Sequence, residues 1–236
     1  MIAIIGGTLF TETPFFASAV PEMHQNHYGK AIFMKSGNTY FVNRHGISHD
    51  VPAHKINHAA NMTLLASLGV KTVIGAYSVG SLKADIHPGT IMIPDDYINL
   101  WLTSNVFDET VKHITPKLSD ALRIKLIEEG RKIDPEILDK GVYYQTRGPR
   151  LETKAEVKMI SSFADVVGMT MGQEATAAQE AGLEFAALCS IDNYANGITE
   201  KDISEAEIRR LAKVNSDKVK EIIISVAFLS ENAAEY

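Results

Sequence analysis

Short apolar runs rich in β-branched residues alternate along this chain with stretches of helical periodicity, and that alternation confines it to an α/β architecture. The spacing predicts strands over Met1–Ile5, Ala31–Met34, Thr39–Asn43, Thr72–Tyr77, Thr90–Asp95, Gly141–Thr146, Val166–Thr170 and Glu184–Ile191. It predicts helices over Ile56–Leu68, Ser119–Glu129, Thr153–Phe163, Glu174–Ala181 and Ser204–Leu229. Local chemistry supports the helix ends. Ser119 stands before Asp120 and an apolar-periodic run, while Thr153 with Glu156 and Ser204 with Glu207 read as capping boxes. Gly69 and Gly182 sit where helices should stop. No Pro/Ser-rich linker, repeat or low-complexity tract divides the chain, so the expectation is one domain over residues 1–236 built on a mixed, largely parallel sheet.

Composition narrows the function classes. A net charge of −6 with no basic run argues against nucleic acid as a partner. A single cysteine cannot form an internal disulfide, which fits a reducing cytoplasm. The N-terminal Met1-Ile2-Ala3-Ile4-Ile5 runs into Gly6-Gly7 and reads as a buried strand, not a signal peptide, and no apolar run is long enough to span a bilayer. The expectation is a cytoplasmic globular protein with no membrane partner.

Five strand ends carry unusual chemistry: Gly6-Gly7-Thr8, Arg44-His45-Gly46, Tyr77-Ser78-Val79-Gly80-Ser81, Gly168-Met169-Thr170-Met171 and Asp192-Asn193-Tyr194. Loops at the carboxyl ends of strands are where α/β proteins bind ligands. Thr8, Ser78 and Thr170 offer hydroxyls or accessible backbone N–H groups, and Arg44 adds a permanent cation beside the titratable His45. Neutral donors with a cation suit free phosphate. Half of the eight histidines, His45, His49, His54 and His58, share this neighbourhood, but Pro52 breaks any helix through all four, the cysteine lies far off at Cys189, and no His-Glu-x-x-His occurs. An anion site is expected, without metal, with structural roles for His54 and His58.

These segments together resemble the trimeric purine nucleoside phosphorylase and methylthioadenosine phosphorylase family. The resemblance rests on Ile5-Gly6-Gly7-Thr8, Arg44-His45-Gly46 with His49, Lys55-Ile56-Asn57-His58-Ala59-Ala60-Asn61, Val79-Gly80-Ser81-Leu82, Gly148-Pro149-Arg150-Leu151-Glu152-Thr153, and Asp165-Val166-Val167-Gly168-Met169-Thr170 followed by Glu174, all in family order. It implies a distorted, barrel-like mixed sheet surrounded by helices, and a homotrimer or dimer of trimers. It also implies phosphorolysis of a nucleoside to a free purine and a pentose 1-phosphate. Phosphate is then a cosubstrate and no cofactor is required. Carried onto this sequence, Thr8, Arg44, His45, Thr170 and the backbone at Ser78 hold phosphate. Met169 lies under the ribose, Val79, Gly80 and Leu151 line the base, and Asn193 hydrogen-bonds its edge. His113 falls where a neighbouring subunit reaches the sugar.

The resemblance also speaks to the base. Members acting on 6-aminopurines resemble a Thr-Asp-Tyr-Asp pattern, whereas those acting on 6-oxopurines place Asn where this chain has Asn193. Here Asp192-Asn193-Tyr194-Ala195 lacks both matching carboxylates, and Glu152 stands where a carboxylate accepts from N1–H. That favours inosine, guanosine or methylthioinosine. A one-residue shift placing Asp192 at the base would instead favour adenine nucleosides such as methylthioadenosine. At the 5′ end the nearest match is Glu205, which is neither the histidine suited to a hydroxyl nor the apolar residue suited to a methylthio group. Tyr77 replaces a small polar residue and either narrows the pocket or packs. Trp101 reads as core or subunit contact, and Arg147 or Arg150 as an ion-pair partner of Glu156 or Glu174. A nucleosidase, or a nucleoside-binding protein without catalysis, are the competing readings. Phosphate dependence of base release separates them.

Overall fold

The computed structural model describes residues 1–10, 19–101, 106–107, 109, 111–200 and 205–232. Period-two patterning sets its layers. In β1 (Ile2–Gly6), Ala3 and Ile5 pack into one core while Ile2 and Ile4 pack into another. The same division runs through β5 (Thr72–Ser81), with Val73, Tyr77 and Val79 on the first side and Ile74 and Ala76 on the second. Strands buried on both faces need helices on both. α1 (His58–Ser67) and α4 (Met171–Glu180) supply Met62, Leu65, Ala175 and Ala178 to the first core. α2 (Asp120–Ile133) and α5 (Glu205–Asn232) supply Leu122, Leu126, Val219 and Ile222 to the second.

The ten-stranded sheet runs β2 (Val20–Asn26), β3 (Gly29–Ser36), β4 (Thr39–Asn43), β1, β5, β9 (Val166–Gly168), β8 (Val142–Gln145), β7 (Asp96–Asn99). β10 (Glu184–Tyr194) pairs along β5 and also with the short β6 (Ile91–Met92). Pairings β1–β4, β1–β5, β5–β10, β7–β8 and β8–β9 are parallel, and β2–β3, β3–β4, β5–β9 and β6–β10 antiparallel. The mixed, largely parallel sheet wrapped by helices is therefore present. β1, β4, β5 and β10 run in one direction side by side, which brings Gly7, Arg44, Ser78 and Asn193 to one end.

Several elements depart from the sequence expectation. β2 was not anticipated because Val20-Pro21-Glu22-Met23-His24-Gln25-Asn26 has no apolar alternation. It is an edge strand, where proline and polar residues are tolerated. Of the strand expected over Thr90–Asp95 only β6 forms, and β7, which was not anticipated, follows with a different partner beyond Pro94, which lacks the N–H a ladder needs. α4 begins at Met171, three residues before the expected start, and β9 ends at Gly168. The Thr153/Glu156 capping box opens α3 (Lys154–Ile160) as expected, and Gly69 and Gly182 have φ of 82° and 78° after their helices. Ser204 lies outside the described residues. Among those residues no helix is long and apolar enough to cross a membrane.

Candidate active site

A cavity of about 250 Å³ opens where these strand ends converge. It brings together Arg44, His45, Ser78, Gly80, Leu151, Glu152, Met169, Thr170, Asn193 and Ala195, ten residues expected from widely separated parts of the chain. Gly7 and Tyr77 also line it.

Arg44 is the centre of one end, but not as a free cation. It is buried, and its Nε and Nη2 donate to Glu174 Oε1 (2.8 Å) and Oε2 (3.0 Å). Nη2 also donates to the Ile5 carbonyl, and Nη1 to that of Ala76. Four of five guanidinium N–H groups are thus spent within the protein. The remaining one is on Nη1, the atom 2.9 Å from where a Cβ on Gly7 would stand, so a glycine there keeps this approach open. Tyr77, expected either to narrow the pocket or to pack, packs against this pair. Its ring lies under the guanidinium (4.4 Å to the centroid) and its hydroxyl donates to Glu174 Oε2. Burial opposes the charge on Glu174, but the Arg44 guanidinium outweighs it and holds the carboxyl well below its usual range. His58 Nδ1 stands 3.6 Å from the same carboxylate. Arg44 is thus the permanent cation expected, but held in a buried ion pair with Glu174 that presents one N–H to the cavity. It is Glu174, on α4, that pairs with Arg44, while Arg150 pairs with Glu156 in an exposed bridge.

His45 is oriented by its Nδ1–H, which donates to the Val51 carbonyl at 2.9 Å because a carbonyl can only accept. Nε2 then faces the Gly7 turn. Burial, helped by the nearby Arg44, pushes the imidazole below its ordinary value of 6.5, so at neutral pH Nε2 is an acceptor for a protonated oxyanion. His49, stacked on His45, adopts φ 54°, a left-handed conformation uncommon for a side-chain-bearing residue. Among the described residues no group of three His, Cys, Asp or Glu is arranged to hold a metal ion.

The other end is built by β10 and the loop before α3. Asp192 is the extra residue of a bulge, since Ile191 pairs with Val79 and Asn193 with Gly80. Asn193 reaches the cavity, and its Nδ2 donates one hydrogen to the Tyr194 carbonyl, leaving the second. Asp192 is buried away from the cavity wall. It accepts from Ser190 Oγ, which in turn accepts from Asn215 Nδ2 on α5. Burial pushes its carboxyl up to about 6, against the Ser190 and Ser78 hydrogen bonds that lower it. Glu152 is held by Thr146 Oγ1, which donates to its Oε1 at 2.6 Å and leaves Oε2 for another partner.

Two expected residues, Val79 and His113, do not line the cavity. Val79 packs in the first core, and the backbone at Gly80 meets the cavity instead, because the strand alternates its faces. His113 is exposed in an extended stretch away from the cavity. Glu205 is the first residue of α5. Thr8 opens a short 3-10 turn directly beside the cavity residue Gly7. Trp101 is half-exposed and lines a neighbouring surface cavity with Arg147, Arg150 and Met159, so it is not core. Sequence reasoning did not single out Tyr143 and Gln145 of β8, which hold the start of α4. The only signal was Gly168, whose missing side chain makes room for the Tyr143 hydroxyl.

A sheet of this order with such a site belongs to the phosphorylase superfamily, whose sequence profile matches residues 1–227, and this chain is a member. Among curated relatives, a probable 6-oxopurine nucleoside phosphorylase of Archaeoglobus fulgidus is 44% identical, with 94% of each chain covered. A probable S-methyl-5'-thioinosine phosphorylase of Methanocaldococcus jannaschii is 36% identical over 94% of this chain and 90% of that one. An S-methyl-5'-thioadenosine phosphorylase of Hyperthermus butylicus is 33% identical over 94% and 85%. The solved structure of methylthioadenosine phosphorylase from Schistosoma mansoni in complex with adenine shares the fold, with a TM-score of 0.87 at 22% identity over 98% of this chain and 92% of that one.

Proposed function

We propose that this protein catalyses phosphorolysis of purine nucleosides with a preference for 6-oxopurines, transferring a ribosyl or methylthioribosyl group to inorganic phosphate. The bond between the anomeric carbon and the purine nitrogen breaks, its electron pair passes into the base, a phosphate oxygen bonds the anomeric carbon, and the proton that hydrogen phosphate gives up ends on the departed purine. The backbone of the Gly7–Thr8 turn, Ser78, Thr170 at the start of α4, the free Arg44 N–H and His45 Nε2 form the phosphate end. Because Glu174 neutralises Arg44, preorganised N–H and O–H groups carry much of the task of holding the dianion. Met169, Gly80, Leu151 and Ala195 then surround the sugar and base.

The observation that carries the base preference is that Asn193 lines the cavity with Glu152, while Asp192 is buried against Ser190. The free Asn193 N–H suits N7 or O6, whose charge grows as the bond breaks, and Glu152 suits N1–H. Neither the Asn193 donor nor the Glu152 acceptor needs a proton transfer. The names of the 44% and 36% identical relatives agree with this reading. No cofactor enters the reaction as written. A homotrimer or dimer of trimers, in which a neighbour brings His113 to the sugar, fits the exposure of His113 and of Trp101 and Met159. Its buried, free Cys189 suits a reducing cytoplasm.

Base release from inosine, adenosine, methylthioinosine and methylthioadenosine, each with and without phosphate, tests the proposal. Phosphate-dependent release from the 6-oxopurine pair is expected. Asn193→Asp should lower kcat/KM for inosine by about 100-fold, the scale of one lost transition-state donor. Comparable turnover of adenosine and inosine would overturn the base preference, and release without phosphate would favour a nucleosidase.

A further inference from the structure

Helix N-termini leave N–H groups unmet, and a Ser, Thr, Asn or Asp at the cap normally turns its side chain back to accept one, most often from the third helical residue. Three helices here do so. Asn57 accepts from Ala60 N (3.0 Å), Ser119 from Leu122 N (3.4 Å) and Thr153 from Glu156 N (3.2 Å). Thr170, the cap of α4, makes no such bond. The N–H it would satisfy, that of Gln173, donates instead to Gln145 Oε1 at 2.9 Å. Two more N–H groups, of Thr170 and Met171, donate to the Tyr143 hydroxyl at 3.2 and 3.3 Å. Both acceptors come from β8, and both residues are fully buried. Tyr143 reaches the helix because Gly168 has no side chain in its way. Gln145 Nε2 is buried with no partner among the described residues, so this amide is kept for its carbonyl end, at the expense of an unmet donor.

We propose that Gln145, with Tyr143, is a positioning residue that caps α4 in place of Thr170 and thereby releases the Thr170 hydroxyl to the phosphate end of the cavity. The proposal rests on the phosphate reading of that end. With Gln145 removed, Gln173 N–H is orphaned three residues after Thr170, whose backbone (φ −139°, ψ −31°) rotates toward the extended conformation of the Ser119 and Thr153 caps to take it. The hydroxyl then turns away from the ligand, as it does in Thr153. The effect falls on phosphate and not on the nucleoside, since Asn193 and Glu152 belong to other elements.

The test compares the intact enzyme with Gln145→Met, Thr170→Val and the double variant. Each is read by KM for phosphate and KM for inosine, together with a crystal structure of ligand-free Gln145→Met. Gln145→Met and Thr170→Val are each expected to raise the phosphate KM about tenfold, the scale of one charge-assisted hydrogen bond, with the inosine KM unchanged. The double variant should be no worse than Thr170→Val, because a hydroxyl already absent cannot be withdrawn. Additive effects, or equal changes in both KM values, would mean that Gln145 only supports the fold and would overturn the proposal. A Thr170 hydroxyl still facing the cavity in the Gln145→Met crystal would overturn it as well. Should Gln145→Met not fold, Tyr143→Phe removes the neighbouring acceptor and is expected to raise the phosphate KM alone; an unchanged value would count against the proposal. An intact enzyme indifferent to phosphate would sink the phosphorolysis reading by itself, and the crystal structure would still decide the capping.

Discussion

Two helix starts in this protein use the same three residue types to opposite ends. At α3, Thr153 caps the helix, Glu156 closes the capping box, and Arg150 clamps Glu156 through both oxygens, all on the exposed surface. At α4, Thr170 is the cap, Glu174 sits one residue further along, and Arg44 clamps it through both oxygens, all buried. In the first trio every member serves the helix. In the second the threonine is relieved by β8 and the arginine keeps one N–H in reserve, so both turn toward the cavity. Residue type alone does not separate a structural cap from a binding site. What separates them is whether something else satisfies the backbone.

The contrast can be broken from its strongest point downward. Glu174→Gln should destabilise the fold by about 3–5 kcal/mol in denaturant titration, because it strands a buried guanidinium. Glu156→Gln, which strands only a solvated one, should cost far less, and similar losses would erase the distinction. Asp192 is buried like Glu174 but, among the described residues, has no cation to offset its burial. Its carboxyl moves from 3.8 to about 6, so the folded chain holds this proton to higher pH than the unfolded chain does. Its contribution is complete below about pH 4 and lost as pH rises through 6. Asp192→Asn should therefore gain about 3 kcal/mol over the native protein at pH 7, the gain vanishing near pH 4 in paired melting curves. Tyr77→Phe removes a hydrogen bond to the buried carboxylate and should cost about 2 kcal/mol in the same titration. Smallest is the pair of caps: Thr153→Val should cost about 1 kcal/mol, and Thr170→Val no more than about half of that. Equal losses would mean that Thr170 caps after all.

How much of this was legible varies with the range of the interaction. The start of α3 was, because Thr153 and Glu156 are three residues apart and the box is local. The start of α4 was read three residues late, since its caps come from Tyr143 and Gln145, nearly thirty residues upstream in the chain. β2 and the break at Pro94 were missed for related reasons, an edge strand needing no apolar pattern and a short strand taking its register from its partner. Of the site, the strand-end residues Arg44, His45, Thr170 and Asn193 were visible as motifs. Where the Val79 side chain packs was not legible, because the face a strand residue presents depends on register.

Sequence alone was enough for the layered α/β architecture, the family and the chemistry gathered at the strand ends, since periodicity and contiguous motifs are local properties. Only tertiary structure decided that Arg44 is neutralised by Glu174, that Asn193 and not Asp192 lines the cavity, and that Thr170 is free. Each of those turns on which distant group meets a given charge or N–H, and such pairings exist only once the chain has closed on itself.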